Sequence, residues 1–383
     1  MTKKFLANFL LLIFTLIFIE IFFAIFFISR PNPTISIIFK PFTNYDKIEF
    51  ANRIEYFDYT TNKYKPGFYK SGDINYQINE YGFRGPDFNL DKLRLDCFGI
   101  AYGGSTTIGL ETIFEHTYPE LVSNKLKNFG KECKILNAGV SSKSLKYIFN
   151  RLIEEVEIYN PKFITIYSNR NSAMYDSTLG EIKSDIITSQ LSLNLYKINF
   201  YLENNVMTYK FLKKISQRFT EIKSGTPHPY DSKRSLNINY FENEYLSILE
   251  QISEFLITRN IQPILIKQIY YIDVELQKKL LSNKIEKNLD LLKKYNRINL
   301  YTNNEKNLND TEKINNFFML TNTILNQNLD VLKKNYSQVK VVDSIDEFFK
   351  FKSTETTFDG YHLNKKGNEI LSDKIYKSLE NII

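Results

Sequence analysis

Cysteine and histidine are scarce in this 383-residue chain, and the scarcity removes several function classes. Two cysteines, Cys97 and Cys133, are no disulfide framework of the kind that staples a small secreted scaffold. Both fall inside predicted strands, where each reads as a small buried apolar side chain; a bridge is open to them only if the strands are neighbours. The three histidines, His116, His228 and His362, show no metal-ligand spacing with cysteine or carboxylate, so no metal site is expected. No internal repeat and no nucleic-acid-binding motif is present. The formal charge of +7 is a modest surplus for this length. Lys, Asn, Ile, Phe and Tyr are all abundant, which reads first as compositional bias and second as attraction to an anionic surface, lipid or glycan. The apolar content of 43% suits a packed globular protein of one large domain or two small ones.

One long apolar run is present, Phe5 to Ile28. About 20 such residues cross a bilayer as a helix. No small-x-small cleavage site follows, only Ser29-Arg30-Pro31-Asn32-Pro33, so an uncleaved transmembrane anchor over residues 1–30 is expected. Pro31 and Pro33 would stop the helix. Glu20 is a carboxyl in an otherwise apolar run, read either as tolerated or as facing a partner helix. Lys3 and Lys4 before the run nearly balance Arg30 and Lys40 after it. The very short N-terminus favours a cytoplasmic start, with the rest of the chain periplasmic or extracellular.

Residues 31–92 are rich in Tyr, Asn and Lys and read as a linker region packing on the domain; they close with the turn-dense Ile78-Asn-Glu-Tyr-Gly82-Phe-Arg84-Gly85. From 93 onward the pattern alternates: a strand over Leu93–Tyr102, a helix over Tyr118–Phe129, a strand over Cys133–Leu136, a helix over Leu145–Tyr159 and a strand over Phe163–Tyr167. A helix over Tyr240–Thr258, strands at Pro263–Lys267 and Val339–Asp343, and a terminal helix over Lys365–Leu379 complete it. Residues near 172–240 and 272–335 read as insertions, the second helical. Such alternation predicts an α/β domain with a five-stranded parallel sheet covered by helices, spanning 93–383.

Ser105, Gly139 and Asn171 each follow a predicted strand, and Asp359 and His362 lie in the loop before the last helix. Ligands of open parallel sheets bind beyond the carboxyl ends of the strands, so these residues converge on one rim. A serine hydroxyl becomes a nucleophile when a base takes its proton, and His362 is placed to do so. Asp359, three residues earlier, would fix the imidazole tautomer and stabilise the imidazolium. Negative charge developing on an attacked carbonyl needs donors set in advance. Candidates are the Ser105 and Gly139 amides and the Asn171 side chain. Each residue alone has a plainer use: Ser105 as a helix N-cap, Gly139 as a turn glycine, Asn171 as a loop cap, Asp359 and His362 as a turn and helix-start pair.

The set resembles the SGNH hydrolase superfamily of GDSL esterases and lipases. Its four blocks are matched in order by Gly104-Ser105 with Thr106-Thr107, by Asn137-Ala-Gly139-Val, by Tyr167-Ser-Asn-Arg-Asn171 and by Asp359-Gly-Tyr-His362. The Gly-Gly-Ser-Thr-Thr form, and the Asn-x-x-Gly82-Phe-Arg84-Gly85 stretch before the first strand, resemble an envelope-associated, membrane-anchored subgroup. Two departures stand out: Gly104 where many members have Asp, and Asn169 where the third block usually has Gly. The resemblance implies a flavodoxin-like three-layer α/β/α sandwich with no cofactor. It implies a catalytic Ser105-His362-Asp359 triad, with an oxyanion hole from Ser105, Gly139 and Asn171. The expected activity is hydrolysis of an acyl ester, an acetyl ester included, on an envelope glycan or glycolipid. Alternatives are an O-acyltransferase of the same fold acting on an envelope polysaccharide, and a non-catalytic glycan-binding or assembly protein on the same scaffold.

Overall fold

The computed structural model describes residues 63–176, 234–295 and 308–380 apart from single positions, short pieces at 57–58, 178–179 and 297–298, and scattered helical positions between 11 and 19. Contacts divide the chain into two units, residues 1–48 with 183–232, and residues 49–182 with 233–383. The first is represented by the helical positions, where Thr15 Oγ1 donates to the Leu11 carbonyl. Among the described residues no helix is long and apolar enough to cross a membrane. The expected anchor, Phe5 to Ile28, lies mostly outside the described residues, as does most of the expected insertion near 172–240.

The second unit begins with a hairpin, β1 (Gly67–Ser71) and β2 (Ile74–Ile78). It continues through β3 (Cys97–Gly103), α1 (Ser105–Ile108), α2 (Tyr118–Asn128), β4 (Cys133–Asn137), α3 (Leu145–Tyr159) and β5 (Phe163–Tyr167). After the insertion come α4 (Tyr245–Ile257), β6 (Gln262–Ile266), α5 (Val274–Ser282), α6 (Ile285–Lys293) and α7 (Leu308–Asn335). The chain ends with β7 (Lys340–Val342) and α8 (Lys365–Leu379). The five strands β3 to β7 form one parallel sheet in the order β4-β3-β5-β6-β7. This is the flavodoxin-like order, which reverses direction between β3 and β5.

Alternation along the strands explains the two covering layers. Phe98, Ile100 and Tyr102 of β3 join Ile164 and Ile166 of β5 in a core with Leu152 of α3, Leu249 of α4 and Leu325 of α7. Ala101, Phe163 and Tyr167 point the other way, into a second core with Val122 of α2 and Leu371 of α8. Because both faces are buried, β5 is buried at every residue and reads in sequence as an unbroken apolar run.

The first strand starts later than its sequence predicts. Leu90–Leu95 is a helical turn that buries Leu93 against the β3 core, and the strand begins at Cys97. The apolar residues before Cys97 serve the same core from a different backbone. The described residues within 272–335 form the three helices α5, α6 and α7, as expected, and a short strand, Arg297–Ile298; 299–307 lie outside the described residues. Cys97 and Cys133 are direct cross-strand partners on β3 and β4 and form a disulfide, Cα atoms 4.5 Å apart.

Candidate active site

The strand reversal between β3 and β5 opens a gap on the carboxyl rim of the sheet, and the segments after those two strands enter it. Gly104 links β3 to α1, so Ser105 is the first residue of a helix. Its amide has no acceptor within that helix, since the first N–H groups of any helix lack intrahelical partners. The hydroxyl of Ser105 lies 2.8 Å from His362 Nε2. On the other side of the ring, His362 Nδ1 lies 2.7 Å from Asp359 Oδ2. Asp359 Oδ1 accepts from the amides of His362 (2.9 Å) and Tyr361 (3.3 Å). Burial alone would raise the Asp359 carboxyl. The His362 ring and these two amides outweigh burial and hold it below the usual carboxylate range. A carboxylate so held keeps the proton on His362 Nδ1 and leaves Nε2 to accept from the serine.

The Asp359–His362 segment is a tight loop. Thr357 bridges Leu363, Phe358 N–H donates to His362 O, and Gly360 N–H donates to Thr357 Oγ1. Two longer contacts fix its place: Tyr271 N–H donates to Gly360 O, and Thr112 Oγ1 donates to Leu363 O.

Asn171 ends a helical turn, Asn169–Asn171, directly after β5. Its Nδ2 donates to the Lys143 carbonyl at 3.1 Å and leaves a second N–H. A Cβ added to Gly104 would fall 2.3 Å from that same Nδ2. Glycine at 104 thus lets the Asn171 amide reach the residue adjoining the serine, and any side chain there would displace it. Asn169, the other departure from the family pattern, is buried. Its amide side chain donates to Asn326 Oδ1 of α7 and accepts from the Tyr245 hydroxyl, while the Asn169 and Arg170 backbone amides share Gln268 Oε1. The turn that carries Asn171 is therefore pinned by side chains from three later elements.

Gly139 has a different job from the one its motif suggests. Its N–H donates to Asn137 Oδ1, and an added Cβ would lie 2.2 Å from Ile108 N and 2.8 Å from Thr107 C. It is a glycine because the loop after β4 packs on the backbone of α1, and its amide is already engaged. The feature the sequence reading passed over lies three residues on. Ser142 adopts φ 60°, the left-handed region rarely held by a non-glycine residue. That turn presents the Lys143 carbonyl to both Asn171 Nδ2 and Ser168 Oγ. No residue type marks it in sequence, because serine carries no turn signal of glycine's strength. Lys143 itself is held down to about 8 by burial.

The Asn-x-x-Gly-Phe-Arg stretch before the sheet also finds its use here. Arg84 is buried and its guanidinium donates to the carbonyls of Ile108 (2.5 Å), Gly109 (2.7 Å) and Thr112 (2.6 Å). These are carbonyls at the end of α1 and in the turn after it, of which Gly109 O also accepts from the Thr112 N–H. Asn137 Nδ2 donates to a further one, Thr107 O. Burial lowers Arg84 to about 10, still a cation at neutral pH. Beneath the Gly139 loop, Arg151 donates to Ala138 O and pairs with Glu155, which also accepts from the Tyr102 hydroxyl and pairs with Lys63.

A cleft beside the serine is lined by Gly104, Ser105, Arg170, Asn171, Gln268 and Tyr361. Among the described residues, no group of His, Cys, Asp and Glu is arranged to hold a metal ion.

No family model matches the chain, and no curated protein matches it. Among solved structures the chain is similar to a lipase/acylhydrolase from Enterococcus faecalis, at 14% identity over 74% of this chain and 96% of that one, TM-score 0.40. It is similar to an acetyl xylan esterase, AlAXEase, at 15% identity over 74% and 99%, TM-score 0.37. It is also similar to the psychrotrophic esterase EstA from Pseudoalteromonas sp., at 11% identity over 75% and 98%, TM-score 0.39.

Proposed function

We propose that this chain is a serine ester hydrolase of the SGNH type, with Ser105 as nucleophile, His362 as general base and Asp359 as the group that orients and charges the imidazole. The observation that carries the reading is the continuous chain of contacts from Ser105 Oγ to His362 Nε2 and from His362 Nδ1 to Asp359 Oδ2, at 2.8 and 2.7 Å. Both lie within the range for proton transfer. In the reaction His362 takes the serine proton as Oγ adds to the ester carbonyl. The oxyanion then accepts from the Ser105 amide and the free Asn171 N–H. Collapse expels the alcohol, protonated by His362, and leaves an acyl-serine. Water, deprotonated by His362, attacks the acyl carbonyl; release of the acid restores the hydroxyl.

The Asp359 side chain is 41% exposed, so the base half of the site stands at the solvent boundary. An imidazole at the solvent boundary can take its second proton from water, which is the reading we adopt over transfer to another hydroxyl. An assembled Ser-His-Asp set speaks against a purely non-catalytic scaffold.

We propose further that residues 5–28 anchor the chain in a membrane with the domain outside the cytoplasm, and that the ester is carried by an envelope glycan or glycolipid. The apolar run supports the anchor. The Cys97–Cys133 disulfide supports an oxidising compartment. A reporter fused to the C-terminus is expected to be active only outside the cytoplasm, and activity inside would reverse that topology.

The chemistry is tested with a fluorophosphonate probe and peptide mapping. The expected outcome is a single label on Ser105, lost in Ser105→Ala and His362→Ala together with hydrolysis of 4-nitrophenyl acetate. Labelling elsewhere, or turnover retained in either variant, would remove the assignment.

A further inference from the structure

Arg170 occupies the same cleft as Ser105, and the mechanism above makes no use of it. Its guanidinium lies between two rings, 4.1 Å from the Tyr361 centroid and 4.8 Å from that of Phe318. Tyr361 in turn stacks on Tyr270 at 5.4 Å and touches the His362 ring at 4.2 Å. The Arg170 backbone is fixed by its N–H bond to Gln268 Oε1. The cation is thus held rigid beside the reacting groups.

Its side chain hydrogen-bonds the Tyr270 side chain, a neutral partner. Among the described residues no carboxylate pairs with Arg170, whereas Arg151 pairs with Glu155 and Arg84 donates to three carbonyls. The Nε–H of Arg170 is buried and has no acceptor. A half-buried guanidinium with no described anion beside it is a cost to the fold, and packing between two rings does not require a charge. With both flat faces covered and one N–H on the Tyr270 side chain, the remaining in-plane N–H groups are left to bind, and a guanidinium edge matches the oxygens of an oxyanion.

We propose that Arg170 is a specificity-determining residue that holds an anionic group, a carboxylate or a phosphate, on the substrate next to the scissile ester. This rests on the serine hydrolase reading and names the class of ester it prefers: acidic ones. A uronic acid or a phosphorylated sugar carries that chemistry, and a neutral sugar does not.

The test compares acetate release from three aryl acetates by the full chain. They are 4-acetoxybenzoate, 4-acetoxyphenyl phosphate and, as the neutral match, methyl 4-acetoxybenzoate. The expected result is a kcat/KM ratio, anionic over neutral, of about 10 or more in the native chain, expressed mainly in KM. A larger ratio for the benzoate identifies a carboxylate as the partner, and a larger one for the phosphate identifies a phosphate. Arg170→Met should bring the ratio close to one. Arg170→Lys, which keeps the charge without the fork, should leave an intermediate value. A native ratio near one would overturn the proposal, as would variants that lose activity on all three esters in equal proportion; Arg170 would then be a brace for the His362 loop. Absence of turnover on every ester by the native chain would overturn the hydrolase reading as well, whereas a flat ratio in an active enzyme touches only Arg170.

Discussion

The two halves of the site are built in opposite ways. Ser105 and its surroundings are held from far away in sequence: Arg84 reaches carbonyls 24 to 28 residues ahead, and Asn137 reaches Thr107 from 30 residues on. Thr106 and Thr107, which follow the serine, are buried, the latter completely. Asp359 and His362 instead hold each other across three residues, on a loop closed by local bonds such as Thr357 with Leu363 and placed by two long ones, from Tyr271 and Thr112. Ser105 is set by the tertiary structure of the sheet, His362 by a local turn that is then docked. Thr112 joins the halves, because its carbonyl accepts from Arg84 and its hydroxyl donates to Leu363, next to His362.

The largest effect should come from the local half. Asp359→Asn keeps the shape of the loop but offers His362 Nδ1 a neutral partner and the wrong tautomer, so kcat should fall about 10⁴-fold. Its stability effect should follow pH with a definite sign. The folded pKa of Asp359 is lowered, so its contribution is present above the ordinary aspartate range and disappears as pH falls through the folded value. The gap in melting temperature between the native chain and Asp359→Asn should therefore close only in strong acid. A gap that closes near neutrality would show that another group controls the loop.

Asn171→Ala tests the other half through its chemistry. A drop in kcat of about 10²–10³ with little change in KM is expected if the amide serves the oxyanion. An effect confined to KM would place Asn171 in ground-state binding.

Arg84→Lys tests the same half through its architecture. A lysine cannot reproduce the planar fork that reaches three diverging carbonyls; Gly109 O keeps the Thr112 N–H, and each other carbonyl left without a donor costs about 1–3 kcal/mol. Urea unfolding should show a loss of about 2–5 kcal/mol. The decisive comparison is kinetic: among folded molecules kcat should also fall, because α1 carries Ser105. An unchanged kcat would mean that α1 keeps its place without this brace.

Thr112→Val removes only the link between the halves. One hydrogen bond of about 1 kcal/mol should cost kcat about fivefold, with the pH profile unmoved. A much larger loss would show that the His362 loop depends on this single contact for its docking.

Legibility in the sequence follows the same division. The β3 to β7 alternation and the Asp359-x-x-His362 pair could be read because strand, helix and turn signals are short-range. The start of β3 was missed because Leu90 and Leu93 are apolar at helical spacing, and hydrophobicity alone does not separate a helical turn from the strand it abuts. The packing of Gly139 on the α1 backbone could not be read, because glycine after a strand looks the same whether it faces a ligand or a helix backbone. The left-handed Ser142 left no trace, since the conformation is imposed by the bonds that Lys143 makes on the far side of the loop. That no described carboxylate stands beside Arg170 was equally invisible, because the neighbours of a side chain are a property of the fold.

The order of residues by itself determined a parallel sheet with helices on both faces and a carboxylate-imidazole turn near its end, since each depends on side chains within a few positions of one another. Which glycines meet backbone and which meet open space, that Cys97 and Cys133 face each other, and that one hydroxyl lies against an imidazole 257 residues away were decided only by tertiary structure. Those relations depend on strand order and packing distances between segments that carry no local mark of one another.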